Sequence, residues 1–166
     1  MAAGLGVRLA ALPLPGTGDM WVWRIWAVNA TTGDPATFYA DPENPGERRL
    51  LAYDGRETTA DYPPLTLYAL GVAGRAYHAV DPRFENTPRL NVAIKFPLLL
   101  ADAALAALLW WLVRRRIDPA RARVIALGSW LNPALVLNGA VLGYLDLWMA
   151  VPAVGGHRGA RDVELP

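Results

Sequence analysis

The stretch VAIKFPLLLADAALAALLWWLV, residues 92–113, decides how this chain must be read. A helix needs about 20 apolar residues to cross the hydrocarbon core of a bilayer. This run supplies them, with Lys95 and Asp102 as its only charges. Lys95 lies near one end, where its stem lets the ammonium snorkel to headgroups. Asp102 lies deeper, where an ionisable group is expensive and faces protein; a structural hydrogen bond to another helix is expected for it. Trp110 and Trp111 mark the far interface, where indole rings favour a half-wet position. Arg114, Arg115, Arg116, Arg121 and Arg123 follow. The positive-inside rule places such a basic loop in the cytoplasm.

Further apolar segments follow the arginines. Residues 124–138 carry Asn132-Pro133, and residues 141–154 form another segment after a turn with Asn138, Gly139 and Gly143. About three membrane helices are therefore expected within residues 91–155, before a polar tail over 156–166. Composition agrees. The chain is 54% hydrophobic and 19% charged over 166 residues, against about 25% charged in ordinary soluble domains.

Upstream, residues 1–15 are apolar but too short to span a bilayer, and they contain Arg8. They lack the basic start and small-residue cleavage site of a secretory signal. Pro13 and Pro15 end them abruptly, so they read as the remnant of a first membrane helix. Residues 16–90 read as a long outer loop. Asp19 follows a Gly-rich turn and opens a helix-like segment with Trp21, Trp23 and Trp26, which is expected at the membrane interface. Residues 31–62 have loop chemistry. Residues 65–80 are short for a span and are interrupted by Gly71, Gly74, Arg75 and His78. They are expected to lie near the interface or to pack within protein.

With the arginines inside, alternation puts Asp19, the polar loop and the turn bearing Tyr144 and Asp146 on the outer face. The expected fold is all-α, a polytopic membrane helix bundle with a long outer loop carrying interfacial helices. The net charge of +1 offers no basic field for nucleic acid. There are no cysteines, and His78 and His157 are far apart, so no metal site is expected from either residue type.

Several pieces occur here in a telling order: Gly18-Asp19 before aromatics, Asp61-Tyr62-Pro63-Pro64-Leu65-Thr66, the Lys95-to-Asp102 helix, Leu131-Asn132-Pro133, and Gly143-Tyr144-Leu145-Asp146. Over roughly residues 16–155 the chain resembles the N-terminal module of GT-C type membrane glycosyltransferases, which use polyprenyl- or dolichyl-phosphate sugars. The resemblance implies an integral protein of a bacterial-type plasma membrane with its active face outside. It implies an essential aspartate near the start of the first outer loop, a position matched by Asp19. It also places Gly143, Tyr144 and Asp146 on a loop facing the site. Such enzymes have many more helices, so the sequence reads as an N-terminal fragment.

The implied chemistry is transfer of a hexosyl or pentosyl group from a lipid-phosphate donor to an acceptor hydroxyl on a glycan, lipid or protein, with no organic cofactor beyond the donor and with a divalent metal left open, Asp146 being a residue that could bind one. Asp19 is the candidate general base, and direct displacement with one base inverts the anomeric centre. An aspartate between a glycine and a helix is equally a favoured N-cap. Asp61, Tyr62, Lys95, Tyr144 and Asp146 are the candidate substrate-binding residues. Four of these have a structural alternative: a turn for Asp61, interface anchoring for Tyr62, snorkelling for Lys95, and a helix cap for Asp146. The competing reading of the whole chain is a non-catalytic polytopic membrane protein, such as a transporter subunit or assembly partner.

Overall fold

The computed structural model describes residues 2–44, 46–146 and 150. His157, the tail over 156–166 and most of the segment at 141–154 lie outside the described residues. The chain is mainly helical: α1 (Ala2–Ala11), α2 (Met20–Thr32), a short 3-10 helix (Pro35–Phe38), α3 (Pro64–His78), α4 (Pro88–Val113), α5 (Pro119–Trp130), α6 (Pro133–Leu135) and a π-helical run (Val136–Leu142). It forms two compact units, one of residues 12–97 and the other of residues 2–11 with 98 onward.

An entirely helical chain is not what is found. Strands β1 (Leu50–Tyr53) and β2 (Arg56–Thr59) pair antiparallel, Leu51 facing Thr58 and Tyr53 facing Arg56. The connection is Asp54-Gly55, with φ of 52° and 71°. Two successive positive φ values define the primed turn that matches strand twist, and Asp-Gly is a preferred pair for it. The stretch expected to be loop thus holds a hairpin, and the signal for it was the Asp-Gly pair.

In the 12–97 unit, α3 packs on α2 through Gly71 and Gly74. A Cβ on Gly71 would stand 2.8 Å from the Ala30 carbonyl oxygen, and one on Gly74 would meet Thr31 Oγ1 and the Ala27 carbonyl. The glycines that interrupt hydropathy in 65–80 are therefore the seam that lets two backbones approach. This packing also corrects the expectation for the α2 tryptophans. Trp23 and Trp26 are interior residues, Trp26 at 0% exposure, rather than interface anchors. Only Trp21 stays half-buried, with the Arg56 and Arg24 guanidinium groups 4.0 and 4.8 Å from its ring centroid.

In the other unit, Arg8 of α1 and Asp102 of α4 form a buried ion pair. Arg8 Nε donates to Asp102 Oδ2 at 2.6 Å, and Nη2 stands 2.6 Å from the same oxygen. The Arg8 guanidinium lies 4.0 Å over the Trp130 ring. A second hydrogen bond runs from Arg8 Nη1 to the Gly4 carbonyl oxygen. Asp102 thus finds the interhelical partner its depth demands.

Among the described residues, two helical segments are long and apolar enough to cross a membrane, Pro88–Val113 and Pro119–Leu142. Their apolar windows are 44% and 17% buried within the protein. The second is interrupted at Leu131–Asn132, where Pro133 cannot donate and the Asn132 side chain accepts from Ala134 N at 2.9 Å. It then continues through Asn138 and Gly139, where a turn was expected. The π-run absorbs them, and the left-handed cap falls at Gly143, φ 81°, with its N–H on the Asn138 carbonyl.

Candidate functional site

The candidate acid sits at the head of α2. Asp19 is exposed, has helical backbone angles, and its side chain accepts no capping hydrogen bond. Its carbonyl oxygen accepts from Trp23 N at 3.1 Å. Other helix starts here behave differently. Asp118 accepts from Ala120 N and Arg121 N at 2.9 and 3.2 Å, and Asp34 accepts from Ala36 N at 3.0 Å. The cap role available to Asp19 is not taken up.

The backbone leading to Asp19 is held from below by polar groups of α4. Lys95 is fully buried, and its Nζ donates to the Leu14 carbonyl oxygen at 2.8 Å. It does not snorkel, because burial beneath this turn gives its ammonium a carbonyl partner. Asn91 Nδ2 donates to the Pro13 carbonyl oxygen at 3.1 Å, while Asn91 Oδ1 accepts from Arg24 Nη2 at 2.6 Å. Residues 13 and 14 thus hang on side chains some eighty positions away. Burial pulls the Arg24 guanidinium below its ordinary value, with Tyr53 and Asp54 acting in the opposite sense.

One turn beyond Asp19, Trp23 and Trp26 stand edge to face with centroids 5.1 Å apart. Tyr62 completes the cluster, 5.1 Å from Trp23 and 5.7 Å from Trp26. The Tyr62 carbonyl oxygen accepts from the Tyr39 hydroxyl at 2.7 Å, fixing the segment that carries exposed Asp61. Trp23 Nε1, Trp26 Nε1 and Arg24 Nε are buried with no hydrogen-bond partner. Asp19, the aromatic trio, Asp61 and Lys95 thus belong to one compact unit.

Tyr144 and Asp146 belong to the other unit. Tyr144 is half-buried, its N–H donating to the Asn138 carbonyl at 2.9 Å, and Asp146 is exposed. His78 is exposed and stacks on Phe84 at 5.4 Å, and Arg75 Nη1 reaches the Ala30 carbonyl oxygen at 3.2 Å. Both serve the end of α3. Among the described residues, no three His, Cys, Asp or Glu side chains gather as a metal site would require. Sequence reading passed over Arg24 and Asn91. An arginine among tryptophans and an asparagine at the head of an apolar helix were the signals available, since neither residue belongs there without a partner.

Compared with known proteins, the chain matches no family model, no curated protein and no solved structure.

Proposed function

We propose that this chain belongs to a membrane glycosyltransferase of the GT-C type, with Asp19 as the general base. The observation that carries the reading is the state of Asp19: an exposed carboxylate, unspent on its own helix, shortly after a backbone segment whose Pro13 and Leu14 carbonyls are held by buried Asn91 and Lys95. Pre-organisation of this kind is what a reacting group needs. Membrane residence is supported by the two spans and by how little of the second is buried, 17% of its window. A soluble core helix of that hydropathy would be largely covered.

In the proposed reaction, the Asp19 carboxylate accepts the proton of an acceptor hydroxyl. The acceptor oxygen forms a bond to the anomeric carbon of the donor sugar. The bond from that carbon to the phosphate oxygen breaks, and the lipid phosphate leaves with the electron pair. One displacement inverts the anomeric configuration. Tyr62 offers an aromatic face to a sugar ring, and Asp61 an acceptor for its hydroxyls. Lys95 acts from beneath by fixing Leu14. The outer face is the side for Asp19 that follows from a cytoplasmic arginine cluster.

Asp19→Asn and Asp19→Ala, assayed for sugar transfer from a polyprenyl-phosphate donor, test this. Transfer is expected to fall by about 10²-fold or more, in keeping with loss of general base catalysis. Unchanged transfer in Asp19→Ala would remove the enzyme reading. It would leave the non-catalytic one, in which the Arg8–Asp102 pair and the capped Asn132 serve helix packing.

A further inference from the structure

The turn between α4 and α5 carries arginines at 114, 115 and 116, and the first turns of α5 carry Arg121 and Arg123, all exposed. Asp118, the carboxylate among them, is occupied with the backbone N–H groups of Ala120 and Arg121. Among the described residues, no ion pair engages any of the five. Two are oriented by stacking: the Arg114 guanidinium lies 4.2 Å from the Trp110 centroid, and that of Arg115 lies 4.0 Å from that of Trp111. Stacking on indole leaves the edge of a guanidinium to bind an anion.

Beside these cations runs a cavity of about 420 Å³ between α4 and α5. Its α4 wall is Ala103, Ala106 and Ala107, one helical face of methyl side chains. Trp110 and Arg123 stand at the end nearest the arginine turn, and Leu127 lies further along. From residue 103 to 110 the groove follows roughly 10 Å of helix. It is apolar along its length and cationic at its mouth.

We infer that this groove seats one anionic phospholipid, its phosphate on Arg114 and Arg123 and an acyl chain along Ala103, Ala106 and Ala107. Charge decides the occupant: a zwitterionic lipid fills the groove equally well, but its ammonium cancels its phosphate and leaves the arginine cluster without a net counter-charge, which an anionic lipid supplies. A basic pocket between two membrane helices is a known setting for anionic headgroups, and an arginine fork matches a phosphate in geometry. The inference rests on α4 and residues 119–142 being membrane spans, and it does not depend on the reaction at Asp19.

The test uses the purified protein in bilayers of phosphatidylcholine mixed with phosphatidylglycerol. Lipid retained after detergent extraction is counted by mass spectrometry. Phosphatidylglycerol is expected to be retained in clear preference to phosphatidylcholine. An Arg114→Gln/Arg123→Gln double variant is expected to lower that preference by roughly twentyfold, at about fivefold per arginine. Ala107→Phe fills the groove and is expected to remove the retained lipid. Inorganic phosphate is expected not to displace it. Equal retention of both lipids by the unaltered protein overturns the inference. So does an undiminished preference in Ala107→Phe, which would mean diffuse headgroup attraction without a seat. Complete displacement by phosphate would make the site an anion site and also overturn it. Should Ala107→Phe misfold, the exposed arginine pair, which supports no core, still decides. Alkaline extraction from the same vesicles separates the two premises: release of the protein fails the membrane reading, whereas an embedded protein with no lipid preference fails the lipid site alone.

Discussion

Two aspartates, each in its own compact unit, have opposite fates. Asp102 is buried at 3% exposure against Arg8, with the guanidinium sandwiched by Trp130. Asp19 is exposed and spends nothing on its own helix, while buried Lys95 and Asn91 are committed to the carbonyls of Leu14 and Pro13 upstream of it. The difference teaches where each acid acts. A buried, paired carboxylate is bound up with folding, because removing it strands a charge. An exposed carboxylate that caps no helix costs the fold little and keeps its oxygens open to solvent.

The comparison breaks most visibly at the buried pair. Asp102→Ala leaves Arg8 without its counter-charge, and such losses cost about 3–5 kcal/mol. The thermal unfolding midpoint in detergent is expected to drop sharply, with Arg8→Ala similar. An Arg8→Met/Asp102→Leu double variant is expected to recover much of the loss, because two apolar side chains leave no stranded charge. A double variant as unstable as the sum of the singles would show that the pair supplies more than charge compensation.

The next effect lies at the helix seam of the other unit. Gly74→Val drives a side chain into Ala27 and Thr31, and Gly71→Val into Ala30. Overpacking of this kind costs typically about 1–3 kcal/mol. Separation of α2 from α3 also opens the Trp23–Trp26–Tyr62 cluster, so tryptophan emission should shift to the red. Gly6→Ala is the control, since nothing lies within 4 Å of its added Cβ; it is expected to leave both readouts in place.

How much of this was legible beforehand follows from the range of each interaction. The membrane-length helix, the arginine turn and the burial of Asp102 could be read because hydropathy and charge are local. The 65–80 segment was expected to lie near the membrane interface or to pack within protein; that it packs on α2 through a Gly71/Gly74 seam required knowing that α2 lay opposite. The hairpin at Asp54-Gly55 had a local signal that the surrounding polar residues obscured. Arg8 could not be matched to Asp102, nor Asn91 to Pro13, because those pairs are 94 and 78 positions apart. The tryptophans misled for the same cause: an indole at a lipid interface and one under a neighbouring helix look alike in sequence.

A smaller effect is expected at Lys95. Lys95→Met keeps the buried stem and removes the donor to Leu14, costing about 1–3 kcal/mol through the carbonyl left behind. If the turn serves Asp19, transfer activity should fall further than stability does. A matching loss in Asn91→Leu would identify the pinned backbone, rather than a phosphate contact by the ammonium, as the cause. Activity unchanged in both would separate the turn from the chemistry.

The smallest effect concerns an acid that belongs to neither class. Asp81, in the turn after α3, is pushed up by burial, but bonds from the Tyr77 hydroxyl and from the backbone N–H groups of Arg83 and Glu85 outweigh that and hold it below the usual carboxylate value. Tyr77 is pushed up in turn, chiefly by burial. A carboxylate depressed in the fold stabilises it fully above its unfolded value, about 3.9. That contribution fades as pH falls through the lower folded value. The unfolding midpoint should therefore dip as pH falls below about 4, and Asp81→Asn should lower it at neutral pH and flatten that dip. Asp19→Asn, by contrast, should change the stability at neutral pH by no more than about 0.5 kcal/mol. A stability loss in Asp19→Asn comparable to that in Asp81→Asn would mean that the exposed acid is structural after all, and the contrast between the two regions would no longer point to a reacting group.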